Sequence, residues 1–124
     1  MHLQVIRNQV RLTMRLRRAC LTLVLLAPIA VPPVQAQDPA EIPVIYLGDR
    51  FEPAEVVVPA DTKVALRVEN KAAVAMEWES GPLHREKVVP AGAMTRIFIG
   101  PLRPGRYEFF DDFRPTVRGN VVVR

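Results

Sequence analysis

The stretch PGRYEFFDDFRPTVRGNVVV (Pro104–Val123) decides how the rest of the chain is read. Arg106–Phe110 alternates with a period of two, so Tyr107 and Phe109 share one face of a strand and Arg106, Glu108 and Phe110 share the other. Asn120–Val123 is a second, closing strand rich in valine. Between them the chain packs Asp111, Asp112, Phe113 and Arg114 into a loop. A plain turn needs no such concentration of acids, aromatic and arginine, and the loop predicts the working end of a sheet.

Working outward, further short β-rich runs are separated by Pro- and Gly-bearing turns. Strands are expected over Val44–Leu47, Glu55–Val58, Lys63–Glu69, Val74–Glu79, Glu86–Val89 and Thr95–Ile99. In Lys63–Glu69, Val64, Leu66 and Val68 point one way while Lys63, Ala65, Arg67 and Glu69 point the other, the mark of a half-buried strand. No stretch keeps a helical period. The pattern predicts an all-β domain over residues 44–124, an antiparallel Greek-key sandwich of about seven or eight strands. Residues 37–43 read as a flexible lead-in.

The first 36 residues read as an export signal. Arg7, Arg11, Arg15, Arg17 and Arg18 precede an apolar run interrupted by Pro28, Pro32 and Pro33, and Val34-Gln35-Ala36 offers compact residues for cleavage after Ala36. Met14 is an alternative start. The run is too short and proline-broken for a spanning helix of ~20 residues, so no membrane insertion of the mature chain is expected. The expected destination is the periplasm.

Removing the signal inverts the charge. The whole chain is +4, but all 13 acids follow residue 36 against 12 of the 17 Lys and Arg, leaving a net of −1. The basic balance therefore gives no argument for nucleic-acid binding. Cys20, the single cysteine, leaves with the signal, so the mature chain has no disulfide, thiolate ligand or cysteine nucleophile. No serine–histidine–aspartate arrangement or phosphate-binding glycine loop is present.

Three places carry candidate chemistry. In Met76-Glu77-Trp78-Glu79-Ser80, alternation sets Glu77 and Glu79 on one face, where two carboxylates repel unless water, a cation or a basic group separates them. The plain alternative is a solvated face with Met76 and Trp78 in the core. His84, the one histidine after residue 36, lies in a loop just before Glu86. It is a candidate metal ligand or simply a surface residue. Asp111 and Asp112 could hold a hard cation through oxygen, or bond their own backbone with Arg114 as ion-pair partner.

Phe51-Glu52-Pro53, Val56–Ala60, Val68-Glu69-Asn70, Pro104–Phe109 and Arg118–Val123 together resemble the cupredoxin family. Glu77-Trp78-Glu79-Ser80, Leu83, Glu86–Val89 and Gly92 are similar to small periplasmic cupredoxin-like proteins of bacterial ferrous-iron uptake. The resemblance implies a membrane iron permease and a periplasmic iron-binding partner. It also implies where a blue copper would sit, with a cysteine at or near Asp111 and an upstream histidine near Asn70, and the iron-uptake relatives imply a histidine where Arg114 stands. None of these is present, and a guanidinium does not ligate, so a blue copper centre is excluded.

The residues left are Glu77, Glu79, His84, Glu86, Asp111, Asp112 and Met76, an oxygen-rich set suited to iron or a non-blue copper. The expectation is an accessory of ferrous-iron uptake that binds iron or copper and assists its oxidation or hand-over to the permease. Whether it turns over as an enzyme is not legible. The alternative is a metal-free interaction module that keeps the fold and docks to a partner.

Overall fold

A computed structural model describes residues 27–124. The basic n-region, Met14, Cys20 and half of the apolar stretch of the expected signal lie outside the described residues. Residues 27–34 belong to a first unit and carry no regular secondary structure, whereas Gln35–Arg124 form a second unit that holds all the described strands.

That unit contains β1 (Glu41–Tyr46), β2 (Phe51–Glu52), β3 (Glu55–Val58), β4 (Val64–Asn70), β5 (Met76–Ser80), β6 (Arg85–Val89), β7 (Met94–Ile99), β8 (Gly105–Asp111) and β9 (Arg114–Val123). They form a four-stranded sheet, β2-β1-β4-β7, and a five-stranded sheet, β3-β9-β8-β5-β6. The fold is the expected all-β sandwich, with one correction. Both sheets are mixed, because β1 runs parallel to β4 and β3 parallel to β9. A period of two reports which face is buried and is silent on strand direction.

Several elements differ in extent. β1 starts at Glu41, three residues before the expected strand, because Glu41, Ile42 and Pro43 pair with Ala65, Leu66 and Arg67. Val74 lies outside β5 and is exposed. The largest difference concerns Pro104–Val123. The expected loop is a two-residue connection, Asp112-Phe113, in which Asp111 pairs with Arg114. The ladder then shifts, so that Phe110 pairs with Arg118 and Pro115–Val117 are absorbed as an irregularity in β9. Pro115 has no N–H to give to a ladder, which suits a bulge.

The core lies between the sheets. Val44, Leu66, Val68 and Ile97 come from one, and Val56, Met76, Val121 and Val123 from the other. Each such side chain contributes about 1.5–3 kcal/mol on burial. Aromatic rings cross the interior in sequence. Tyr46 is 5.2 Å from Phe51, Phe51 meets Phe109 edge-on at 4.9 Å, and Phe109 stacks on Trp78 at 5.2 Å. Gly119, opposite Phe109, leaves room for that ring, since a Cβ there would run into Phe109 Cζ and lie 2.7 Å from its Cε2 and 2.8 Å from the Ala54 carbonyl.

Candidate functional site

The hairpin at the end of β8 and β9 splits the two aspartates between opposite faces. Alternation along β8 turns Asp111 inward beside Phe109, where it is fully buried, and leaves Asp112 exposed in the turn. Each Asp111 carboxylate oxygen accepts two hydrogen bonds. Oδ1 accepts from the backbone N–H of Glu77 and of Phe113, each at 3.0 Å. Oδ2 accepts from the Tyr46 hydroxyl at 2.6 Å and from the Arg114 guanidinium at 3.1 Å. Burial alone would raise the Asp111 pKa, but the bonds from Tyr46, the Glu77 N–H, Arg114 and the Phe113 N–H outweigh it, and the carboxyl is held below the usual aspartate range. Burial and then the neighbouring Asp111 carboxylate push the Tyr46 phenol up. Asp111 thus stitches β1, β5, the turn and β9 together.

Asn70, near which the resemblance places an upstream histidine, is also buried and hydrogen-bonded through both its amide nitrogen and its oxygen. Its amide donates to Val74 O at 2.8 Å and Val89 O at 3.0 Å, and its oxygen accepts from Ala72 N at 2.9 Å. These residues do not fit a copper ion. Each Asp111 oxygen already accepts two hydrogen bonds and the Asn70 oxygen one, and Arg114 brings a permanent positive charge into the place of a ligand.

The remaining candidates lie elsewhere. Met76 is buried in the core with Trp78, on the opposite face from Glu77 and Glu79, because neighbouring strand positions point to opposite sides. Met76 and Asp111 therefore do not join the other five candidates, a correction to the set drawn from sequence. Glu77 and Glu79 lie on the outer face of the five-stranded sheet, with Glu86 of β6 directly opposite Glu79. The turn brings Asp112 to the same place, its N–H donating to Glu77 O at 2.8 Å. Among the described residues none of these four carboxylates is in an ion pair. Burial raises the Glu79 pKa, and the charges of Asp112, Glu77 and Glu86 raise it further, with hydrogen bonding to Asp112 last.

His84 sits at the end of the turn after β5, exposed, with φ of 51° and its N–H donating to Gly81 O at 3.1 Å. With Glu79 and Glu86 it lines an open depression of about 350 Å³. Among the described residues no three His, Cys, Asp or Glu side chains gather closely enough to enclose a metal ion. The arrangement is an open acidic face beside a closed polar interior. Sequence reasoning missed Tyr46, whose partner Asp111 is 65 residues away. It also missed Ser80, whose hydroxyl donates to Glu108 O at 2.6 Å and ties β5 to β8.

A fold with β1 parallel to β4 and β3 parallel to β9, closed over an aromatic interior, has recognisable relatives. The cupredoxin-like domain family matches residues 19–123, and the chain belongs to it. A relative of uncharacterized function from Rickettsia prowazekii (strain Madrid E) is 38% identical over 84 residues, covering 67% of each chain. Among solved structures, the metal-binding domain of the Streptococcus pneumoniae D39 Cu(I)-exporting P-type ATPase CopA, with Cu(I), superposes with a TM-score of 0.60 at 14% identity, over 68% of this chain and 84% of that one. Auracyanin A, a blue copper protein from Chloroflexus aurantiacus, gives 0.58 at 18% identity, over 69% and 99%. At these identities the solved structures establish the fold alone.

Proposed function

We propose that the protein is an exported, periplasmic accessory of ferrous-iron import, and that its working surface is the outer face of the five-stranded sheet. Glu77, Glu79, Glu86 and Asp112 would receive iron as cargo and release it to a membrane permease. The observation that carries this reading is that four carboxylates share one open face with, among the described residues, no ion-pair partner, and their charges add to burial in raising the Glu79 pKa. A cation relieves the same repulsion that a proton does, and oxygen ligands suit iron. The open, partly exposed arrangement favours weak and exchangeable binding, the property required for hand-over. Titration of the protein with Fe(II), Fe(III) and Cu(II) under controlled redox conditions tests it. Combined Glu77→Gln and Glu79→Gln substitution is expected to weaken iron binding at least about tenfold, and equal affinity of the two proteins would refute the site.

The locked hairpin favours a second reading, a metal-free module that docks to a component of the uptake system. Its distinguishing result is protein purified without metal that still co-purifies with the permease or with a periplasmic iron-binding protein.

A further inference from the structure

β6 and β7 are the terminal strands of their two sheets and lie on the same side of the sandwich. An open cleft of about 270 Å³ runs between them, lined by Arg85, Glu86, Lys87, Thr95, Arg96, Ile97 and Phe98. The side-chain bond recorded across it runs from Arg85 Nε to Phe98 O, at 3.1 Å. Natural edge strands are blunted by charge, and the run Arg85-Glu86-Lys87 on β6 is open to that reading alone. Two features go further. Val88, Met94 and Phe98 are large apolar side chains left 47%, 51% and 43% exposed along the two edges. Positive charge also outweighs negative in the cleft, because among the described residues neither Arg85 nor Lys87 is in an ion pair and only Glu86 opposes them, while Lys63 Nζ lies 5.4 Å from the Phe98 ring centroid. Arg96 is neutralised by Glu41.

We propose that the cleft binds an extended acidic segment of a partner protein, added to β6 as a sixth strand of its sheet. Backbone groups on the free edge of β6 would supply the ladder, as in other strand additions. Alternate carboxylates of the segment would face Arg85 and Lys87, while the residues between them follow Val88 and Glu86 on the outer side. Charge complementarity selects an acidic strand over a basic one. The surface rests on Arg85 and Lys87, which alternate to the opposite side of β6 from Glu86, so that of the acidic face that would receive iron only Glu86 borders it.

The test uses ¹⁵N-labelled protein and a capped octapeptide of alternating threonine and glutamate as probe, with the threonine–lysine octapeptide as control. Expected are amide shifts and slowed hydrogen exchange confined to Arg85–Val89 and Met94–Ile99, at millimolar peptide and weakening with salt. Lys87→Glu should weaken binding at least about tenfold and Lys87→Gln by less. Lys87 is exposed, so both variants should keep the wild-type spectrum elsewhere. Absence of shifts in β6 and β7, equal binding of the lysine peptide, or equal affinity of Lys87→Glu would each overturn the proposal. Iron binding by Lys87→Glu should be unchanged, which separates failure here from failure of the acidic face.

Discussion

Replacing Asp111 by asparagine tests the closed hairpin with little change of shape. The amide oxygen can still accept from the Glu77 and Phe113 N–H groups, so the two 3.0 Å bonds survive. The amide nitrogen, however, now faces the Arg114 guanidinium, a donor meeting a donor, and the charge-assisted bond from Tyr46 at 2.6 Å is lost. A hydrogen bond to a charged group contributes about 1.5–3 kcal/mol. Arg114 is 37% exposed, so solvent screens its share and the Tyr46 bond dominates. The expected loss is about 2–3 kcal/mol, a large part of the ~5–15 kcal/mol available to a small domain.

In urea, with a slope of about 1 kcal/mol per molar for a chain of this size, the midpoint should fall by about 2 M with the slope unchanged. The difference should also depend on pH. Asp111 has a lowered folded pKa, so its contribution is present above the unfolded value of ~3.9 and is lost as pH falls through the folded value. The asparagine variant lacks that dependence, and the two proteins should converge in acid. A midpoint change below about 0.5 M at pH 7, or a gap that widens in acid, would refute the reasoning.

Other expected outcomes follow from the same geometry. Gly119→Ala drives a methyl against the Phe109 ring and the Ala54 carbonyl and should cost about 1–3 kcal/mol, read as a drop in Tm together with changed Trp78 fluorescence. Glu79→Gln should leave the protein as stable as the parent or more so at pH 7. Because the folded pKa of Glu79 is raised, that gain should vanish as pH falls and the parent carboxyl takes up its proton. The same carboxyl should titrate above free glutamate in an NMR pH series. Tyr46→Phe removes one of the four donors to Asp111 and should shift the acid limb of the stability curve towards neutral pH, since the Asp111 pKa then rises.

Much of the fold is legible because alternation survives in Val64–Glu69, Met76–Ser80 and Arg106–Phe110, and each buries the side it indicates. The closing hairpin was hidden for two reasons. Pro115 interrupts β9 in sequence but is accommodated at an irregularity, so the strand extends back to Arg114. The alternation that turns Tyr107 towards the core and buries Phe109 continues for one more step, which already turns Asp111 inward and Asp112 outward. Carried that far, the period separates the two aspartates without any structure. Tyr46 is different in kind, because a partner 65 residues away depends on how β1 packs across β8, and local pattern carries no trace of it. The carboxylate face was legible as Glu77 and Glu79. That Glu86 and Asp112 join it rests on the pairing of β5 with β6 and on the tight turn.

The end of the sandwich where the resemblance implies a copper site is closed here by Asp111, Tyr46, Arg114 and Asn70. Crystals soaked separately with Cu(I), Cu(II) and Fe(II), with anomalous difference maps at each metal edge, address it directly. The expected maps are empty around Asp111 and Asn70, and iron density, where present, lies beside Glu77, Glu79, Glu86 and Asp112. A metal peak within ligand distance of the Asp111 carboxylate, with Arg114 swung aside, would contradict it.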